Sequence, residues 1–294
     1  MNWDFIYRGE TRALDDATRD AATSGTYIKL SEGTTHIELG GTASGRPAVL
    51  IHGFSVPYFI WDPTFLGLAS AGYRVLRYDL FGRGFSDRPV LNYDLYLFVR
   101  QLTDLLDGLK FKKVDLIGLS MGGAIASAFT VHLPQRVNHL VLIDPIGVAP
   151  MPLSLLYRAA IMPGVGELIL GLASTERILR GLASDFFAPT HVRLFQDQYL
   201  TQMQIKGFKR AILSTVRNKT VDGFPKVYEQ LGRLETIPKL LLWGRNDQTL
   251  PLEQSDQLLK LLSNAEFHVI DNCGHIPHYE RPEMVNPILI NFLK

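Results

Sequence analysis

The chain has 294 residues, of which 46% are hydrophobic and 20% charged, with 25 Gly and 16 Pro. That apolar content excludes a disordered chain, and the glycine and proline exclude a fibrous helical one. The length suits one large globular domain, or one domain with an insertion. Thirty Lys and Arg against 29 Asp and Glu leave a formal charge of +1, and there is no basic run. Nucleic acid and anionic membrane surfaces are therefore not expected partners. The lone Cys273 excludes an internal disulfide and a cysteine-rich zinc site.

Residues 1–26 read as a polar, partly helical extension. The first eight residues carry an acidic group and no apolar run, so a signal peptide is not expected. No stretch reaches the roughly 18 apolar residues of a membrane span, and a soluble, cytoplasmic protein is the expectation. Short apolar runs at 27–30, 35–39, 48–51 and 74–78 predict the first four strands. A periodic pattern over 92–109 predicts a helix, with Leu95, Phe98, Val99, Leu102, Leu105 and Leu106 near one face. A strand at 114–117 is followed directly by a helix over 121–132 that closes at Pro134. Another strand follows at 139–143. Strands alternating with helices predict an α/β fold whose crossovers bury a mainly parallel sheet.

From about 145 to 224 the alternation stops. Leu153, Leu156, Tyr157, Ala160 and Ile161 fall at i, i+3, i+4, i+7 and i+8, one apolar helix face. Leu168, Leu172, Ile178, Leu179 and Leu182 continue the theme. The segment reads either as ordinary core-packing helices or as a lid over a substrate pocket. Strands at 239–243 and 267–270 and helices at 253–262 and 282–292 complete the chain. Pro282 suits a helix start, and Pro287 is expected to disturb that helix. The expected organisation is an α/β core at 27–144 and 225–294, with a helical cap at 145–224.

The strongest chemical signal is Gly118-Leu119-Ser120-Met121-Gly122. A strand before it and a helix after it put Ser120 on a tight turn, where small neighbours relieve backbone crowding. A serine hydroxyl needs a base, and His275, on the loop after the last strand, can reach the carboxyl end of the sheet. His278 could line the same loop, whereas His36 and His191 have nothing chemical around them in sequence. The base needs an orienting carboxylate. Asp247, after the penultimate strand, is preferred, and Asp144, one strand earlier, is the alternative. The backbone N–H groups of Met121 and Phe54 are the expected oxyanion donors. His52, in His52-Gly53-Phe54, is expected to orient that loop.

Those motifs, with Asp79-Leu80-Phe81-Gly82-Arg83-Gly84-Phe85-Ser86 and Trp243-Gly244-Arg245-Asn246-Asp247, resemble the α/β-hydrolase superfamily over about residues 27–294. The resemblance implies a mostly parallel eight-stranded sheet flanked by helices. It is nearest in kind to bacterial esterases, monoacylglycerol-lipase-like enzymes and carbon–carbon bond hydrolases. Hydrolysis of a small-molecule carboxylic ester with an apolar acyl group is the first expectation. The alternative is a carbon–carbon hydrolase acting on a vinylogous diketone. Those relatives usually carry Trp after the histidine and often Asn before the serine, where this chain has Ile276 and Leu119. They also need an arginine, for which Arg158, Arg177 and Arg180 are candidates. The oxyanion-loop residues are also shared with perhydrolases, and a non-catalytic ligand-binding role is a further class. No metal or organic cofactor is needed.

Overall fold

The computed structural model describes residues 6–20, 22, 24–149, 158–159 and 161–294. All eight predicted strands form one sheet: β1 (Thr26–Lys29), β2 (Thr34–Gly41), β3 (Pro47–Ile51), β4 (Arg74–Tyr78), β5 (Val114–Leu119), β6 (Val137–Ile143), β7 (Lys239–Gly244) and β8 (Glu266–Ile270). Their order is β1-β2-β4-β3-β5-β6-β7-β8. β2 pairs antiparallel with both β1 and β4, and every other pairing is parallel.

The near-continuous apolar runs are explained by burial on both faces of the sheet. Val49, Ile51, Leu116, Leu142 and Trp243 point into one core, with the helices Leu95–Gly108 and Met121–His132. Their alternates Leu50, Ile117, Val141 and Leu242 point into the other. There they meet Phe65 and Leu68 of the helix Asp62–Ser70 and Val285 and Leu289 of the last helix. Each fully buried side chain of this size contributes roughly 1.5–3 kcal/mol.

Two expectations need correction. The last helix runs unbroken over Pro282–Phe292 with Pro287 inside it. Pro287 is exposed, so its ring displaces nothing in the core, while Val285 and Leu289 are fully buried and hold the helix to the sheet. Tertiary packing outweighs one lost backbone bond. Leu168 and Leu172 do not face the core; they are 48% and 58% exposed. Gly166, Gly171 and Glu167 of the helix Val165–Leu172 turn inward instead. Glu167 pairs with Arg217 at 2.5 Å. The expected apolar face at Leu153, Leu156, Tyr157 and Ala160, and the side chain of His191, lie outside the described residues.

Between β6 and β7 the described residues contain no strand. Among the described residues of 145–224 stand the helices Val165–Leu172, Thr175–Leu182, Val192–Met203 and Phe208–Arg217, and the helix Pro225–Gly232 leads back into β7. The N-terminal extension packs on it. Arg12 exchanges backbone bonds with Gln204 (2.8 Å) and Lys206 (2.9 Å). The Glu10 carboxylate accepts from the Gly207 and Lys209 amides at 2.7 and 2.6 Å. No helix among the described residues is long and apolar enough to cross a membrane.

Pro287→Ala restores a donor to the Glu283 carbonyl and should stabilise the chain by about 1–3 kcal/mol in a denaturant melt. An unchanged midpoint would show that the lost bond costs nothing here.

Candidate active site

Ser120 sits between β5 and the helix Met121–His132 with φ 53° and ψ −119°. A non-glycine residue held there costs about 1–3 kcal/mol, so the surroundings must enforce it. They do so by close backbone approach. A Cβ on Gly122 would lie 2.2 Å from the Ile51 carbonyl oxygen at the end of β3. The Ser120 amide donates to Ile143 O of β6 at 2.9 Å. A Cβ on Gly53 would lie 3.3 Å from the Ser120 Cβ. The elbow and the loop after β3 are thus pressed together because both positions lack side chains.

His275 Nδ1 donates to Asp247 Oδ2 at 2.7 Å, which leaves Nε2 to accept a proton. The other Asp247 oxygen accepts from the Thr249 and Leu250 amides at 2.7 and 2.8 Å. Trp243, fully buried in β7, fixes the same turn by donating Nε1–H to Leu250 O. The Asn246 amide donates to Cys273 O, tying the Asp247 loop to the His275 loop. Burial by itself would lower the His275 pKa. The carboxylates of Asp247 and Asp185 more than offset it, leaving the imidazole above its ordinary value.

Asp144 is fully buried and accepts from the Gly244 amide at 2.9 Å. One of its oxygens lies within 4.8 Å of an Asp247 oxygen and a His275 ring nitrogen. Burial, then the neighbouring Asp247 charge, pushes its pKa well up. The structure therefore pairs the histidine with Asp247, which also accepts two backbone amides, whereas burial favours the neutral form of Asp144.

The loop after β3 is held by neutral His52. Its Nδ1–H donates to Gly53 O at 2.9 Å, and its Nε2 accepts from the Leu80 amide at 2.9 Å. Burial lowers its pKa to about 4. The Phe54 N–H belongs to the Gly53–Phe54 peptide that His52 holds, and Met121 N–H opens a helix with no intrahelical acceptor. Ser120 and His275 face one cavity of about 150 Å³, with Phe54, Ile60, Leu119 and Asp185 in its wall. A second cavity at Ser120, of about 190 Å³, is lined by Ile146, Val216, Val221 and Leu250.

Several sequence expectations change. His36 has chemical company: it is fully buried, with Nδ1 on Asp79 Oδ2 at 2.9 Å and Nε2 on Ser24 O at 2.8 Å. Both partners are acceptors, so the ring carries two protons and braces β2 against the loop after β4. His278 does not line the cavity. It packs on Trp61 at 4.2 Å and stays neutral, with burial lowering its pKa to about 3. Arg158, Arg177 and Arg180 are exposed, and Arg180 pairs with Glu176 at 3.7 Å. None of them lines either cavity at Ser120. Cys273 is a buried thiol that burial pushes up, donating to Ile270 O.

Sequence reading missed Asp185, Glu280 and Gln202. Asp185 stands in the cavity wall, where its backbone oxygen accepts from His275 N at 2.8 Å and its carboxylate from Thr249 Oγ1 at 2.7 Å. Glu280 accepts from the Gly274 amide at 2.6 Å and from Phe187 and Ala188 of the insertion at 3.0 and 3.1 Å. Their partners are distant in sequence, so no local spacing announces them.

An NMR titration of His275 should give a midpoint above the ordinary ~6.5. Asp185→Asn removes one facing charge and should lower that midpoint. A midpoint unmoved by the substitution would mean that solvent screens Asp185.

Residues 48–288 match the model of the alpha/beta hydrolase family. A 2-hydroxy-6-oxononadienedioate/2-hydroxy-6-oxononatrienedioate hydrolase of Paraburkholderia xenovorans is 30% identical, over 94% of this chain and 97% of its own. Among solved structures, a meta-cleavage product hydrolase from Pseudomonas fluorescens superposes with TM-score 0.76 at 26% identity, covering 92% of this chain and 97% of that one. A bacterial membrane phospholipase A superposes with TM-score 0.70 at 27% identity, covering 92% and 85%. With its elbow serine, its His275–Asp247 pair and a family match across most of its length, the chain belongs to the alpha/beta hydrolase family.

Proposed function

We propose that the chain is a serine hydrolase in which Ser120 is the nucleophile, His275 the base and Asp247 the orienting acid. The amides of Phe54 and Met121 bind the oxyanion. The single observation that carries this reading is the 2.7 Å His275–Asp247 bond at a cavity shared with the strained Ser120. Ser120 Oγ attacks a carbonyl carbon and gives its proton to His275 Nε2. Collapse of the tetrahedral intermediate breaks the scissile bond, and the leaving group takes that proton. Water, deprotonated by His275, then releases the acyl group. Segment 145–224 acts as a cap that supplies the apolar cavity wall.

For the bond cleaved, the first reading is the carbon–carbon bond of a 2-hydroxy-6-oxo dienoate. It is supported by relatives so named that align along nearly the whole chain. The second reading is a carboxylic ester of an apolar acyl group. One observation favours it: besides Ser120 and His275, the cavities at Ser120 are lined mostly by apolar groups with Ser55, Thr249 and Asp185, and no Lys or Arg stands among the described residues in their walls. A dienoate carboxylate would have to bind there without a countercharge.

Purified protein should be assayed against a 2-hydroxy-6-oxo dienoate and against p-nitrophenyl esters of increasing chain length. Faster turnover of the dienoate supports the first reading; turnover of esters alone replaces it with the second. In both cases Ser120→Ala should abolish turnover while the fold persists, and retained activity would refute the assignment. Asp247→Asn should cost roughly ten-thousandfold in kcat, and Asp144→Asn far less. The reverse order would move the acid to Asp144. The rate should fall as pH drops through the raised His275 pKa, because the protonated ring cannot accept the serine proton. Asp185→Asn should move that acid limb downward, and a flat profile between about pH 5 and 8 would mean a different base.

A further inference from the structure

The loop that follows β3 is held at three successive carbonyls. His52 donates to Gly53 O at 2.9 Å, Arg83 Nε to Phe54 O at 2.8 Å, and Gln202 Nε2 to Ser55 O at 2.8 Å. The first two donors belong to the core. The third stands on the insertion helix Val192–Met203, 147 residues away in sequence. Gln202 is 2% exposed, and its Oε1 accepts from the Gly84 amide at 2.9 Å, so both ends of its amide are used. Arg83 is fully buried, and burial lowers its pKa to about 10. Its Nη2 donates to Thr215 Oγ1 at 2.8 Å, on the second insertion helix, Phe208–Arg217. Each of these two helices therefore contributes one side chain to the apparatus around Phe54, Gln202 with two hydrogen bonds and Thr215 with one.

The geometry points to Gln202 and Thr215 as positioning residues that complete the oxyanion loop: His52 holds the Gly53–Phe54 peptide that carries the Phe54 N–H, and the seated insertion fixes the two peptides that follow it. This rests on the reading of Phe54 as an oxyanion donor. The peptide on either side of Phe54 can rotate unless its carbonyls are engaged, and an oxyanion donor is effective only when aimed before the reaction begins. A buried glutamine is costly to leave unpaired, so the insertion has one favoured seat, and that seat orders the loop. Lifting the insertion would break the bonds to Ser55 and Gly84 and leave Arg83 with its bonds to Phe54 O and Phe81 O but without Thr215. Covering the cavity and assembling the oxyanion site are then one event.

The test uses the full chain with Gln202→Leu and Thr215→Val. Hydrogen exchange at residues 53–56 reads the loop without any substrate. Steady-state kinetics on the substrate established for the wild type read the chemistry. Gln202→Leu should speed exchange at 53–56 and lower kcat about tenfold, with KM within about twofold, since the loop acts on the transition state. Thr215→Val keeps the side-chain shape and should move both readouts the same way by less, so the test survives poor folding of the first variant. Unchanged exchange in both variants overturns the inference, whatever the fate of the hydrolase reading. A rise in KM with kcat intact also overturns it, by making Gln202 a substrate contact. Faster exchange with unchanged kcat overturns it through its premise, the role of Phe54. Failure of a fluorophosphonate to label wild-type Ser120 would separately sink the hydrolase reading.

Discussion

The close approach of the elbow to the end of β3 is the constraint on which the rest depends. With Gly122 against the Ile51 carbonyl and Gly53 against the Ser120 side chain, two backbones meet at less than the width of a methyl group. That contact forces the serine into its unusual conformation. It also places the loop from His52 to Ser55 beside the hydroxyl. Local propensity would not hold Ser120 at φ 53°; the parallel strands on either side and the helix behind it do.

Electrostatics then divides the acids near His275 into different states. Asp247 accepts two backbone amides and the imidazole N–H, so its charge is satisfied where it stands. Asp144, on the neighbouring strand end, accepts one amide, and burial with the neighbouring Asp247 pushes its pKa well up. Asp185 reaches the same histidine from the insertion and adds to its basicity. The insertion therefore enters the chemistry twice, through this carboxylate and through the bonds it makes to the oxyanion loop. Glu280 fastens the arrangement, since it joins the His275 loop to Phe187 and Ala188.

Legibility in sequence followed the range of the interactions. The central strands β3 to β7 were readable because each is a short apolar run largely buried on both faces, whereas β1 and β8 at the sheet's edges are mostly half-buried or exposed. The helix Asp62–Ser70 was not read, because it is short, contains Gly67 and lacks a strongly one-sided apolar pattern. It exists by packing on the sheet through Phe65 and Leu68. Pro287 misled for the same reason, since a docked helix tolerates a lost bond that an isolated one would not. Leu168 and Leu172 misled in the opposite sense. Their spacing is that of a buried face, but glycines and the Glu167–Arg217 pair hold the other side inward.

The sequence by itself determined the sheet, the elbow, and the chain order of Ser120, Asp247 and His275. Each rests on a local motif at the end of a strand, and the strand order carries all of them to one edge of the sheet. Only the tertiary structure decided which aspartate meets the histidine, because Asp247 and His275 stand 28 positions apart and Asp144 is held by the Gly244 amide 100 positions on. It likewise decided that His36 braces a loop, that three candidate arginines face solvent, and that Gln202 and Thr215 reach the loop at Phe54. These are contacts between residues tens to more than a hundred positions apart, and nothing in their local spacing encodes them.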